Sequence, residues 1–318
     1  EWWYVTGQLD DGASKVKAPL GFQVTFFRVR TGLAADNPSS FAPRQVLFAH
    51  AAVADPVSGK LHHAQRSART GFDLAYAREG PLDVKLDDWS IRQVAPDRYV
   101  TAVHGEDFDF DLTLVSTQPP LLQGEHGFSR KGPNPRAASY YYSLPQLAVS
   151  GEVNVGGSTR KVRGQAWFDH EWSSDYVDEN ALGWDWLGVN MTDGGALMAF
   201  RMRDRQGGER WAGATMRRPS PAGPGVVTTF EPEAVHWTPL QSWRSPRTGV
   251  TYPVQWRVQV GDRRYRVEPL LLDAELDSRP TTGILYWEGP IRLIDEATGK
   301  EAGRGYLELT GYGGKVDL

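Results

Sequence analysis

The 318-residue sequence contains no cysteine. That excludes disulfides, thiol nucleophiles, iron–sulfur clusters and Cys-type zinc sites together. No run approaches the ~18 apolar residues of a helical membrane span, so an integral membrane protein is not expected. There is no basic block either. Lys and Arg number 35 against 39 Asp and Glu, a formal net charge of −4 with both signs spread along the chain. A nucleic-acid partner is therefore not expected. Long amphipathic helical periodicity is missing. So are the common catalytic and cofactor signatures. His170-Glu171 runs on into Trp172-Ser173-Ser174 and is no zinc-binding helix, while the adjacent His62 and His63 diverge in a strand. Gly-x-Ser-x-Gly, Walker and dinucleotide patterns are absent. No metal and no cofactor is expected.

What is present is alternation. Gly21 to Val29 places Val24, Phe26 and Arg28 on one face and Phe27 and Val29 on the other. Further strands are predicted at residues 45–54, 99–104, 108–116, 146–153, 161–170, 186–190, 196–203, 254–260, 264–271, 283–288 and 305–311. Turn signals divide them, among them Gly156-Gly157, Gly207-Gly208 and Gly261-Asp262. Short helical turns are expected near Ser174–Asn180. Arg130–Arg136 and Pro219–Pro224 read as exposed linkers. Twelve each of Trp, Tyr and Phe suit strands and apolar cavities alike. The class is all-β, in barrels or sandwiches, and the length suits about two domains.

Several blocks are more specific than the fold class. They are Glu1-Trp2-Trp3-Tyr4, Phe26-Phe27-Arg28, Phe48-Ala49-His50-Ala51, Tyr140-Tyr141-Tyr142-Ser143, Trp167-Phe168-Asp169-His170-Glu171-Trp172-Ser173, Gly183-Trp184-Asp185-Trp186 and Gly305-Tyr306-Leu307-Glu308-Leu309-Thr310-Gly311-Tyr312. In this order they resemble the AttH-like and carotenoid 1,2-hydratase (hydroxyneurosporene synthase) superfamily, from Glu1 to Tyr312, with the "predicted secreted hydrolase" branch the closer match. The resemblance implies two tandem lipocalin-like (calycin) antiparallel β-barrels, residues 1–173 and 174–318. It also implies a cavity for a lipid-, polyene- or terpenoid-like molecule. Its known members include carotenoid hydratases and fungal pericyclases of Diels–Alder type, and AttH-like proteins often accompany ABC-transporter permeases.

Asp169 and Glu171 alternate onto one face with Trp167, and His170 onto the other with Phe168 and Trp172. A hydratase needs a carboxylic acid to protonate a double bond and aromatic faces to stabilise the cation that forms. Asp169, His170, Glu171 and Asp185 are thus the catalytic candidates. The alternative is that the acids pair with buried arginines. His50, between small neighbours, faces either a ligand or the core. Tyr140 and Tyr142, with Trp172, Trp184 and Trp186, complete the expected ligand-binding set. Trp2, Trp3 and Arg28 resemble the plug that closes a lipocalin barrel.

Three functions are compatible with these residues. One is a carrier of a hydrophobic small molecule, linked to ABC transporter components. A second is an enzyme on such a molecule, either a hydratase (lyase) or a Diels–Alderase-like cyclase. The third is a structural partner of a transporter. A cavity lined by acids and aromatics favours the enzyme, and a purely apolar one the carrier. The family resemblance, and a chain that opens on Glu1 with any signal peptide upstream, lead to an expected periplasmic or secreted location.

Overall fold

A computed structural model describes residues 1–12, 18–32, 37–39, 42–174, 180–220 and 223–316. They form two antiparallel sheets. The first spans Trp2 to Trp172 and the second Ala181 to Leu309, each curled into a lipocalin-like barrel. In the first, Lys60–Arg69 lies at one edge and Ala75–Ala77 at the other. The curl brings the edges together. The Arg66 guanidinium stands 4.9 Å above the Trp89 ring and donates to the His104 carbonyl at 2.9 Å. In the second barrel one apolar core joins Ala214 and Met216, near one edge, to Val235 and Trp237 at the other.

Every strand predicted from alternation is present. Those missed include short strands such as Asp83–Leu86 and surface ones such as Lys60–Arg69, but also the long and largely buried Trp2–Asp10 and Glu209–Ser220. Pro219–Pro224 is not a linker. Glu209–Ser220 pairs with Gly223–Phe230 up to Ser220 and Gly223, so its two ends belong to paired strands, while residues 221 and 222 lie outside the described ones. Arg130–Arg136 is a loop as read, but Lys131 within it is buried. The helical turns expected near Ser174–Asn180 fall largely on residues outside the described ones.

The strands between the barrels are buried on both faces, and alternation decides which barrel each side chain serves. Along Trp2–Asp10, Trp3, Val5 and Leu9 enter the first core, while Tyr4 packs with Trp167 and Trp186 in the seam between the barrels. Leu187 and Val189 enter the second core, and Trp186 faces the seam. The seam is also polar. Gln8 Nε2 donates to the carbonyls of Ile291 and Gly305 at 2.9 and 3.0 Å. A bulge between Leu144 and Leu147 turns Gln146, at φ 57°, across the seam. Its backbone N–H donates to Asn190 Oδ1 at 2.7 Å, and its Nε2 to the carbonyls of Met191 and Gly195.

Candidate functional site

A cleft of about 810 Å³, its open mouth included, lies in this seam rather than inside either barrel. Strand register fixes its two walls. On the first barrel, Glu171, Trp2 and Phe27 form one row across neighbouring strands, and Asp169, Tyr4, Thr25 and His50 form the next. On the second, Phe200, Trp186, Glu308 and Glu288 are successive partners across four strands. At about 4.8 Å per strand, that row is about 14 Å long. Trp184, Met202, Ile284 and Tyr286 extend the wall. Among the described lining residues, Lys131 is the single permanent cation, against Asp169, Glu171, Glu288 and Glu308.

Each acid is held differently. Glu171 meets Lys131 Nζ at 2.8 Å and accepts a short hydrogen bond from Ser139. The ammonium also lies 4.4 Å from the Phe200 ring centre and 4.9 Å from that of Tyr141. Asp169 accepts from Ser143 Oγ at 2.5 Å, Trp167 Nε1 at 2.7 Å and the Tyr141 hydroxyl at 2.8 Å. Burial nevertheless pushes its carboxyl up to about 7, the three donors pulling the other way. Tyr141 is fixed in turn by Trp186 Nε1, 3.0 Å from its oxygen.

Glu288 and Glu308 are directly opposed on adjacent strands. Tyr4 donates its hydroxyl proton to Glu288 Oε1 at 2.6 Å, and the Trp184 side chain hydrogen-bonds Glu308. No cation pairs with either among the described residues. Burial raises both first; the charge of Glu308 then raises Glu288, and those of Asp169, Glu171 and Asp185 raise Glu308. Glu308 reaches about 8 and Glu288 lies well above the carboxylate range. The pair therefore holds a proton at neutral pH.

At the other end of the cleft stands His50, driven down to about 3 by burial and so neutral. Its Nε2 is 2.8 Å from Thr281 Oγ1 and its Nδ1 2.9 Å from the Tyr286 hydroxyl. Thr281 donates its proton to Gln65 Oε1 at 2.5 Å, which assigns the imidazole proton to Nε2 and makes Nδ1 the acceptor from Tyr286.

Of the candidates named from sequence, Asp169, Glu171, His50, Trp184 and Trp186 meet in the cleft. His170 does not. It lies on the opposite face of its strand, stacked 5.3 Å from Trp3, with Nε2 2.9 Å from Glu1. Asp185 also points away, into the second barrel, between Arg201 Nε at 2.5 Å and Arg203 Nε at 3.3 Å. Tyr140 and Trp172 stack on each other at the exposed rim, and Tyr142 packs towards the first core. Tyr141, between the two tyrosines named, is the one that enters the cleft. Of the expected plug residues, Trp3 has its ring 5.7 Å from the Arg28 guanidinium, which pairs with Glu1. Trp2, its neighbour in an alternating strand, lines the cleft instead. Sequence reading also missed Tyr4, Lys131, Glu288 and Glu308. A lone acid inside Tyr286-Trp287-Glu288 and inside Tyr306-Leu307-Glu308-Leu309 was the available signal for the last two.

The AttH-like family profile matches residues 1–312. The AttH protein of Nitrosomonas europaea is 49% identical, with a TM-score of 0.88 over 98% of this chain and 92% of that one. Kievitone hydratase of Nectria haematococca superposes with a TM-score of 0.72 at 16% identity, over 97% and 88% of the two chains. CghA, solved with Sch210972, gives 0.54 at 12% identity, over 100% and 88%. At those last two identities the likeness is one of fold. No curated protein matches the sequence significantly.

Proposed function

The chain belongs to the AttH-like family, and from that premise and the cleft we propose a lyase that adds water to, or removes it from, a carbon–carbon double bond of a hydrophobic, polyene- or terpenoid-like molecule. The observation that carries this reading is the opposed, buried pair Glu288 and Glu308, without a cation partner among the described residues, set in an aromatic cleft. A carrier of apolar ligands gains nothing from burying two carboxyls, since each costs free energy to desolvate. A hydratase needs one. The protonated carboxyl gives its proton to one olefinic carbon, and the π electrons form the new C–H bond. The neighbouring carbon becomes a cation facing Trp184, Trp186 and Phe27. A water oxygen closes on that carbon, and its surplus proton returns to the emptied carboxylate. Asp169, near 7, is a second acceptor on the facing wall. The kievitone hydratase likeness supports a reaction of this class on this fold.

The test is a screen of acyclic carotenes, prenylated phenols and terpenols in water labelled with heavy oxygen, read by mass spectrometry. The expected result is gain of one water with its labelled oxygen in the product, or loss of one water from a terpenol, either one abolished in Glu288→Gln and Glu308→Gln. Tight binding of these compounds without turnover, unchanged in both variants, returns the protein to the carrier reading.

A further inference from the structure

The charge inventory of the cleft points beyond the olefin. Aromatic faces surround it on both walls, from Trp2, Tyr4 and Phe27 on one barrel and from Trp184, Trp186 and Phe200 on the other. Its single permanent cation is spent on Glu171. Glu288 is 2% exposed, and only one of its oxygens has a hydrogen-bond partner among the described residues. An aromatic enclosure attracts cations through the negative faces of its rings, the more so when dry. Carboxyls without a cation partner leave that attraction unopposed. We propose that the cleft binds a positively charged apolar ligand, a tertiary or quaternary ammonium on a prenyl-like body, held by the ring faces against Glu288 and Glu308 with release of a proton. This rests on the acid-catalysis reading, in which the same site meets a carbocation, and it names a stable mimic of that cation.

The released proton comes from the glutamate pair. The groups that face the pair are Tyr4, Asp169 and Glu171 from the first barrel and Tyr286 and Tyr306 from its own sheet. The tyrosines are all pushed above their ordinary range by burial and stay neutral. Lys131 is held by Glu171, His50 is neutral, and Asp185, on the far face of its strand, is paired with Arg201 and Arg203. A fixed positive charge beside the pair favours its ionised form, so binding drives a proton to solvent.

The probe is geranyltrimethylammonium, compared with its neutral isostere in which carbon replaces nitrogen. The ammonium does not titrate, so any proton released belongs to the protein. Isothermal titration at neutral pH, in two buffers of different protonation enthalpy, should show the ammonium binding about thirtyfold tighter, the worth of one desolvated cation–π contact. About one proton should leave per ligand. Glu308→Gln, shown folded by circular dichroism, should lose both the preference and the proton. Equal affinity for the two probes, or no proton release in the unaltered protein, overturns the proposal. If that happens while olefin hydration still depends on both glutamates, the catalytic reading survives alone. If the ammonium is preferred with proton release and no olefin is ever hydrated, the cation site stands and the catalytic reading falls.

Discussion

Glu171 and Lys131 meet at 2.8 Å with both side chains almost wholly out of water. Breaking such a pair by neutralising one partner strands the other charge, so Glu171→Gln should cost about 3–5 kcal/mol. Urea unfolding checks this, and Lys131→Met with Glu171→Gln together should recover most of the loss. A small effect of Glu171→Gln alone would show that the pair is not what holds this end of the cleft. Glu308 behaves in the opposite way. Its folded pKa, about 8, lies above the ordinary carboxylate value, so the folded protein holds a proton that the unfolded chain gives up. The stability it contributes is complete below about pH 4 and fades as pH rises through about 8. Glu288 and Asp169 shift in the same direction. Melting temperature should therefore fall between mildly acidic and mildly alkaline pH, and the slope should flatten in Glu308→Gln. A parallel slope in the variant would mean that another group sets it. At this scale the sequence was informative where strand parity decided the question. Asp169 and Glu171 could be separated from His170 by counting alone. The same count turns Asp185 away from Trp184 and Trp186, and the alternative of an arginine-paired acid holds for it; which arginines, Arg201 and Arg203 of the next strand, only the fold decides.

Strands explain why the rest of the seam was hard to read. A strand with one wet face announces itself by alternating apolar and polar residues. Ala181–Met191 and Leu285–Asp295 are covered on both faces, so large apolar residues stand on their seam side as well as on their core side. Alternation located such strands without showing that their second face was a cavity wall. Two adjacent tryptophans, Trp2 and Trp3, must diverge in a strand, so only one could plug the barrel. The seam also sets a limit on side-chain size. A Cβ added at Gly188 would lie 2.6 Å from Trp186 Cη2 and 3.0 Å from Trp167 Cε2. Both neighbours are rigid indoles; one walls the cleft and the other donates to Asp169. Gly188→Ala should cost about 1–3 kcal/mol by overpacking. It should also shift tryptophan emission, because both rings must move. Unchanged emission with unchanged stability would mean that the seam yields more readily than its packing implies.

The two barrels meet through a shared apolar cluster and hydrogen bonds that cross the seam in both directions. Tyr4, Gln8 and Gln146 of the first barrel each send a hydrogen bond into the second, and Asn190 of the second returns one to the carbonyl of Ala166. Arg217 donates to the carbonyls of Pro119 and Pro120 across the same seam. If the barrels separated, Trp167, Trp186 and Tyr306 would lose their apolar cover, and these polar groups would have to find water in their place. Separation should therefore cost nearly as much as unfolding one barrel. The chain should then melt in a single calorimetric transition, with calorimetric and van't Hoff enthalpies in agreement. A ligand in the cleft touches both barrels, so it should raise that one transition as a whole. Two resolved transitions, only one of them moved by ligand, would show that the seam is a loose contact between independent barrels. A cleft built from both walls would then be too unsteady to hold a proton donor against an olefin.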